Sequence, residues 1–114
     1  PLPIITPRSD PHKKPEIVAP AKSVAVINKE GTWSLSDGTS AATVYVTGAI
    51  ALLLQNNPEL AANGTQDDIA NINQVKEWIQ QSSLPRPSQT GHDDNYGYGL
   101  LQIKALIDAA NPDE

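Results

Sequence analysis

The sequence predicts an α/β chain, with short strands crowded into its first third and helices over the remainder. Two observations carry this reading. Six of the ten prolines lie at positions 1, 3, 7, 11, 15 and 20. Each fixes φ and removes a backbone donor, which rules out a helix there and favours extended or turn structure. Past Ser40 the apolar residues stop alternating and recur in helical runs. At 114 residues the length corresponds to one small domain, able to bury a core but not a large one.

Residues 1–13 read as a proline-rich arm that leads into a short strand at 16–19. Residues 23–27 are rich in β-branched side chains and read as a second strand. Asn28-Lys29-Glu30-Gly31 supplies turn chemistry, and 32–35 return as a third strand, so the last two form a hairpin. Ser36-Asp37-Gly38-Thr39-Ser40 is a polar, glycine-containing turn. It opens a helix over 41–55 that stops before Pro58. Val44, Val46, Ala49, Ile50, Leu52, Leu53 and Leu54 cannot share one stripe, and a helix apolar on every face is normally buried all round. A second helix is expected from Thr65, which can cap it together with Asp68. Its apolar residues Ile69, Ile72, Val75 and Ile79 fall at helical spacing. Residues 82–95 read as loop, Gly97-Tyr98-Gly99 as a turn, 100–110 as a final helix and 111–114 as a tail.

Composition excludes several classes of function. Eight basic against thirteen acidic residues give a net charge of −5, which argues against nucleic acid as a partner. Lys13-Lys14 is too short to make a basic patch. With no cysteine, disulfide scaffolds, zinc ribbons and thiol catalysis are ruled out. The longest apolar stretch, 49–54, is far too short to span a bilayer, so no membrane partner is expected. The first fifteen residues lack a positively charged start followed by an apolar run, so no signal peptide is read in this chain. Only His12 and His92 are present, and any mechanism that needs a histidine has these two candidates.

The informative segment is Gly38-Thr39-Ser40 at a helix start. A serine there is presented on a rigid element, and the unpaired N–H groups of the first turn face any oxyanion formed beside it. Serine also favours the N-cap for purely structural reasons, and on these three residues alone the N-cap is the reading adopted. His92-Asp93-Asp94-Asn95 carries donors for calcium or a transition metal. Adjacent residues converge on an ion only if the loop folds back, so a solvated turn is the reading adopted and no metal ligand is assigned. His12 and His92 are both read as solvated loop residues. Asp37 is read as turn chemistry, Asp67-Asp68 as favourable charge in a first helical turn, and Trp78 as packing.

The longer segment Gly38-Thr39-Ser40-Ala41-Ala42-Thr43-Val44-Tyr45-Val46-Thr47-Gly48 resembles the nucleophile helix of the subtilisin-like serine peptidases. That family's motif is Gly-Thr-Ser-x-Ala-(Ser/Thr)-Pro-His-Val-Ala-Gly. Upstream, Lys14-Pro15-Glu16-Ile17-Val18-Ala19-Pro20 is similar to the family's Lys-Pro-(Asp/Glu)-(Ile/Val)-x-Ala-Pro-Gly strand. Downstream, Tyr96-Gly97-Tyr98-Gly99-Leu100-Leu101 resembles its closing Gly-x-Gly-Leu segment. Three departures stand out: Ala21 takes the place of a glycine, Ala41 of the commoner methionine, and Val44-Tyr45 of Pro-His.

The resemblance implies a mostly parallel sheet with helices on both sides, and assigns 14–110 to the C-terminal part of the catalytic domain. It implies peptide-bond hydrolysis through an acyl-enzyme on Ser40, with Gly38 and Thr39 forming the nucleophile turn and part of the wall near the substrate pocket. Calcium is common in the family, and no residue is assigned to it here. A secreted location is implied, with a peptide or protein as substrate. The family's catalytic Asp and His blocks, and its oxyanion Asn, come from segments preceding those matched here. The chain alone is therefore expected to be catalytically incomplete, because a serine without its base is a poor nucleophile. Its expected partner is the missing N-terminal part of the catalytic domain, or a second copy. The alternative is a non-catalytic pseudoenzyme or assembly module that associates through its apolar helix.

Overall fold

Alternation and turn chemistry build the hairpin. In the computed structural model, which describes residues 7–112, strands β1 (Val24–Ile27) and β2 (Trp33–Ser36) pair antiparallel. The register sets Val24 opposite Ser36 and Ile27 opposite Trp33. Asn28 closes the turn, its side-chain oxygen accepting from the backbone N–H groups of Glu30 and Thr32, each at 3.1 Å. Successive side chains point to opposite faces. Val24 is buried, whereas Ile27, Trp33 and Leu35 stand exposed.

The strand expected at 16–19 is reduced to a single parallel bridge between Val18 and Leu100. Val18 N–H donates to the Gly99 carbonyl and accepts at its own carbonyl from Leu101 N–H, both at 2.9 Å. Leu100 also exchanges two backbone bonds with Leu84, at 2.9 and 2.8 Å. Among the described residues, β1 and β2 form the sheet, and Val18–Leu100 supplies parallel pairing. The mostly parallel sheet implied by the resemblance is not formed within these residues.

Three helices follow the hairpin: α1 (Thr39–Asn56), α2 (Asp67–Ser82) and α3 (Ile103–Ala110), with a single 3-10 turn at Pro58–Leu60 after α1. Helix α1 starts two residues before the expected boundary. Helix α3 starts three residues later than expected, because Leu100 is committed to Val18 and Leu84. Helix α2 begins at Asp67, not Thr65. The Asn63 side-chain oxygen accepts from both the N–H and the hydroxyl of Thr65, which holds that residue outside the helix. The N-cap is Gln66, which makes no side-chain cap bond, not the expected Thr65. The Thr65 hydroxyl accepts from Asp67 N–H at 3.3 Å from outside the helix, and Asp68 reaches back to the N–H groups of Asn63 and Gly64.

The core gathers Ala49 and Leu53 of α1, Ile79 of α2, Leu101, and Leu106 of α3, with Val75 and Trp78 packed against it. Trp78 is thus a packing residue. Helix α1 is not covered all round by the described residues: Ala41, Ala49 and Leu53 are buried, but Val44 is 69% and Leu52 47% exposed. The ends of α1 and α3 are joined by a reciprocal amide pair. Asn57 Nδ2 donates to Asn111 Oδ1 at 3.1 Å, and Asn111 Nδ2 donates to Asn57 Oδ1 at 3.0 Å. The expected arm (1–13) and tail (111–114) fall partly outside the described residues.

Candidate active site

The turn into α1 is held in place by the segment after Ala19-Pro20. Gly38 N–H donates to the Ala21 carbonyl at 2.6 Å. Asp37 Oδ1 accepts from Ser23 N–H at 2.5 Å, a backbone-fixing role consistent with turn chemistry. Gly38 is the N-cap of α1 with φ 123° and ψ 165°, and it offers no side-chain cap. That φ disfavours residues with a Cβ, so a capping serine or aspartate is disfavoured there and the first N–H groups of the helix remain open. Thr39 and Ser40 N–H have no acceptor among the described residues. The Thr39 carbonyl is engaged by the Thr43 hydroxyl at 2.9 Å.

Ser40 therefore lies in the first turn of α1 instead of capping it. It is exposed, and its hydroxyl has no hydrogen-bond partner among the described residues. It sits at the rim of a cavity of about 650 Å³ between the hairpin and α1, lined mainly by Val24, Val26, Ala41, Val44, Tyr45, Ala49 and Leu52. Among the described residues no histidine or carboxylate lines it. The geometry brings together a serine oxygen and two N–H donors, which can stabilise a developing oxyanion, but the described residues supply no general base beside them.

Both histidines are engaged elsewhere. His12 is exposed and accepts from Lys76 Nζ at 3.3 Å. His92 departs from the expected solvated residue: its side chain is only 9% exposed. Its Nε2–H donates to the Pro15 carbonyl at 2.9 Å, and its ring stands edge-on to Tyr98 at 5.4 Å between centroids. It is a pin between the N-terminal arm and the closing loop. The neighbouring Asp93 accepts from the N–H groups of Asn95 and Tyr96 at 2.8 and 3.0 Å. Those backbone bonds hold its carboxyl below the usual carboxylate range. Asp94 points fully into solvent. Among the described residues no three His, Asp or Glu side chains converge on a point that could hold a metal ion.

The pairing of Ala21 with Gly38 was not legible in the sequence, because the contact uses a carbonyl that every residue carries. No helix among the described residues is long and apolar enough to cross a membrane.

This arrangement places the chain in a class of α/β proteins that present a serine at the open N-terminus of a largely apolar helix. The model of the Subtilase family (Peptidase S8) matches residues 5–99. The chain belongs to the subtilase family, a family of serine proteases. Among solved structures, that of the patellamide maturation protease PatA superposes with a TM-score of 0.59 at 24% sequence identity. The match covers 86% of this chain and 34% of the protease, so the chain has the subtilisin-like fold and spans about a third of that protein's length.

Proposed function

We propose that this chain is the nucleophile-bearing part of a subtilisin-like serine endopeptidase, with Ser40 as the nucleophile. The observation that carries the reading is the setting of Ser40: an exposed, unbonded hydroxyl in the first turn of α1, with open N–H groups beside it. In the reaction Ser40 Oγ adds to the carbonyl carbon of a peptide bond, and the oxyanion faces the Thr39 and Ser40 N–H groups. Collapse expels the amine and leaves an acyl-enzyme, which water then hydrolyses. Gly38 and Thr39 shape the wall of the substrate site. The substrate is a peptide or protein, and the site of action is outside the cell.

The general base is assigned to other polypeptide, since among the described residues no histidine or carboxylate lines the Ser40 cavity. The remainder of a subtilase catalytic domain fits this role, seated on the open face of α1. Incubation with a serine-directed fluorophosphonate tests the assignment. The chain alone should remain unlabelled. The same chain joined to the preceding segment of its catalytic domain should be labelled at Ser40, and Ser40→Ala should abolish the label. Stoichiometric labelling of the isolated chain would overturn the claim that its base lies elsewhere.

A second reading, a non-catalytic assembly module, is favoured by the exposure of Val44 and Leu52 next to a serine without a base. Absence of labelling in the joined protein, with the complex intact, would select it.

A further inference from the structure

At the far end of α1 from Ser40, the turn into α2 reads Asn63-Gly64-Thr65, the acceptor pattern for N-linked glycosylation. We infer that Asn63 is a site of N-glycan attachment. The inference rests on the extracellular location proposed above. Asn63, Gly64 and Thr65 are all exposed, and a side chain added at Gly64 would meet nothing within 4 Å. The segment is therefore open to a modifying enzyme.

The bonding of the asparagine suits the chemistry. Its Oδ1 accepts from Thr65 N–H at 3.0 Å and from the Thr65 hydroxyl at 2.7 Å. Its Nδ2 has no partner among the described residues and remains available. A glycosyltransferase would use a lipid-pyrophosphate-linked oligosaccharide as donor. Nδ2 forms the new bond to the anomeric carbon as the bond from that carbon to the pyrophosphate oxygen breaks. The lipid pyrophosphate leaves with the electron pair, and the amide proton passes to a base of the transferase. The threonine hydroxyl is the group that makes the tripeptide an acceptor, and here it is already bonded to the side chain that reacts.

Position supports the assignment as well. The 18 residues of α1 span about 27 Å at 1.5 Å each, with Ser40 in its first turn and Asn63 beyond its C-terminal end. No residue of 61–66 lines the cavity beside Ser40 or the groove between α1 and α2. A glycan at Asn63 thus leaves both apolar grooves free.

Two measurements test this. In protein isolated from the cells that make it, peptide mapping should find the Asn63 peptide carrying a glycan that an N-glycosidase releases, converting the asparagine to aspartate. Bare Asn63 throughout the extracellular fraction would overturn the site. Recovery of the protein in the cytosolic fraction alone would instead overturn the location on which the site depends. In the second, the chain is secreted from an N-glycosylating host behind a foreign signal sequence. It should show one step in mobility, lost in Asn63→Gln and Thr65→Ala and kept in Thr65→Ser. Secreted chain with the mobility of Asn63→Gln would overturn the proposal.

Discussion

At Gly97 the residue type follows from crowding. The backbone has φ 60°, and a Cβ there would run into the Glu16 carbonyl and the Pro15 backbone. The close approach lets Tyr98 N–H donate to the Glu16 carbonyl at 2.7 Å, which draws the N-terminal segment onto the closing loop. Gly97→Ala should destabilise the chain by about 2–4 kcal/mol, from backbone strain plus a forced displacement. Urea denaturation checks this, and an unchanged midpoint would contradict it. The adjacent Tyr98 gives a pH signature. Burial, and then the hydrogen bond and negative charge of Asp10, push its hydroxyl up to about 12 from an ordinary 10.0. A raised folded value means the contribution is complete below the unfolded value and is lost as pH rises through the folded one. Stability should therefore fall between about pH 10 and pH 12, and Tyr98→Phe should flatten that limb in denaturation curves collected across the range. An equally steep limb in the variant would place the titration elsewhere.

Helix interiors were legible in the sequence, and helix ends were not. The apolar run after Ser40 and the spacing of Ile69, Ile72, Val75 and Ile79 are local signals, and both helices lie where these put them. The start of α3 depends on Leu100 being drawn into pairing with Leu84 and Val18, partners distant in the chain. The same holds for His92, whose burial depends on a carbonyl 77 positions away. Ser40 and its helix start were readable because a glycine-containing turn and an apolar run are contiguous, whereas the clamp from Ala21 is a backbone contact without a sequence signal. The amide pair between Asn57 and Asn111 belongs to this scale, since it fixes the C-terminal end of α1 against α3. Asn57 is 7% exposed and Asn111 half-buried, so truncating Asn111 leaves a buried amide without its mate and truncating Asn57 leaves a half-buried one. Asn57→Ala and Asn111→Ala should each cost about 1–3 kcal/mol. The double variant should cost less than the sum by about 1 kcal/mol, because one interaction is removed twice. Thermal denaturation of the four proteins closes the cycle, and strict additivity would show that the two amides do not act as a unit.

At the scale of the whole molecule, the described residues leave apolar surface that their own elements do not cover. Helix α1 has a hairpin on one side and α2 and α3 on another, yet Val44 and Leu52 remain exposed along the Ser40 cavity. Ile27, Trp33 and Leu35 add further open apolar side chains on the hairpin. Exposed apolar side chains on α1 and on the hairpin face turned away from it favour association in water. Alone in solution, the chain should therefore self-associate, and sedimentation equilibrium at tens of micromolar should give a mass above the 12.2 kDa of one chain. Val44→Glu combined with Leu52→Glu should return it to a monomer by placing two like charges on the open face. Neither residue belongs to the buried cluster of Ala49, Leu53, Ile79, Leu101 and Leu106, so the unfolding free energy extrapolated to low concentration should change by no more than about 0.5 kcal/mol. A parent chain that sediments as a clean monomer would contradict the argument. A double variant that associates as strongly as its parent would move the contact away from α1 to the hairpin face.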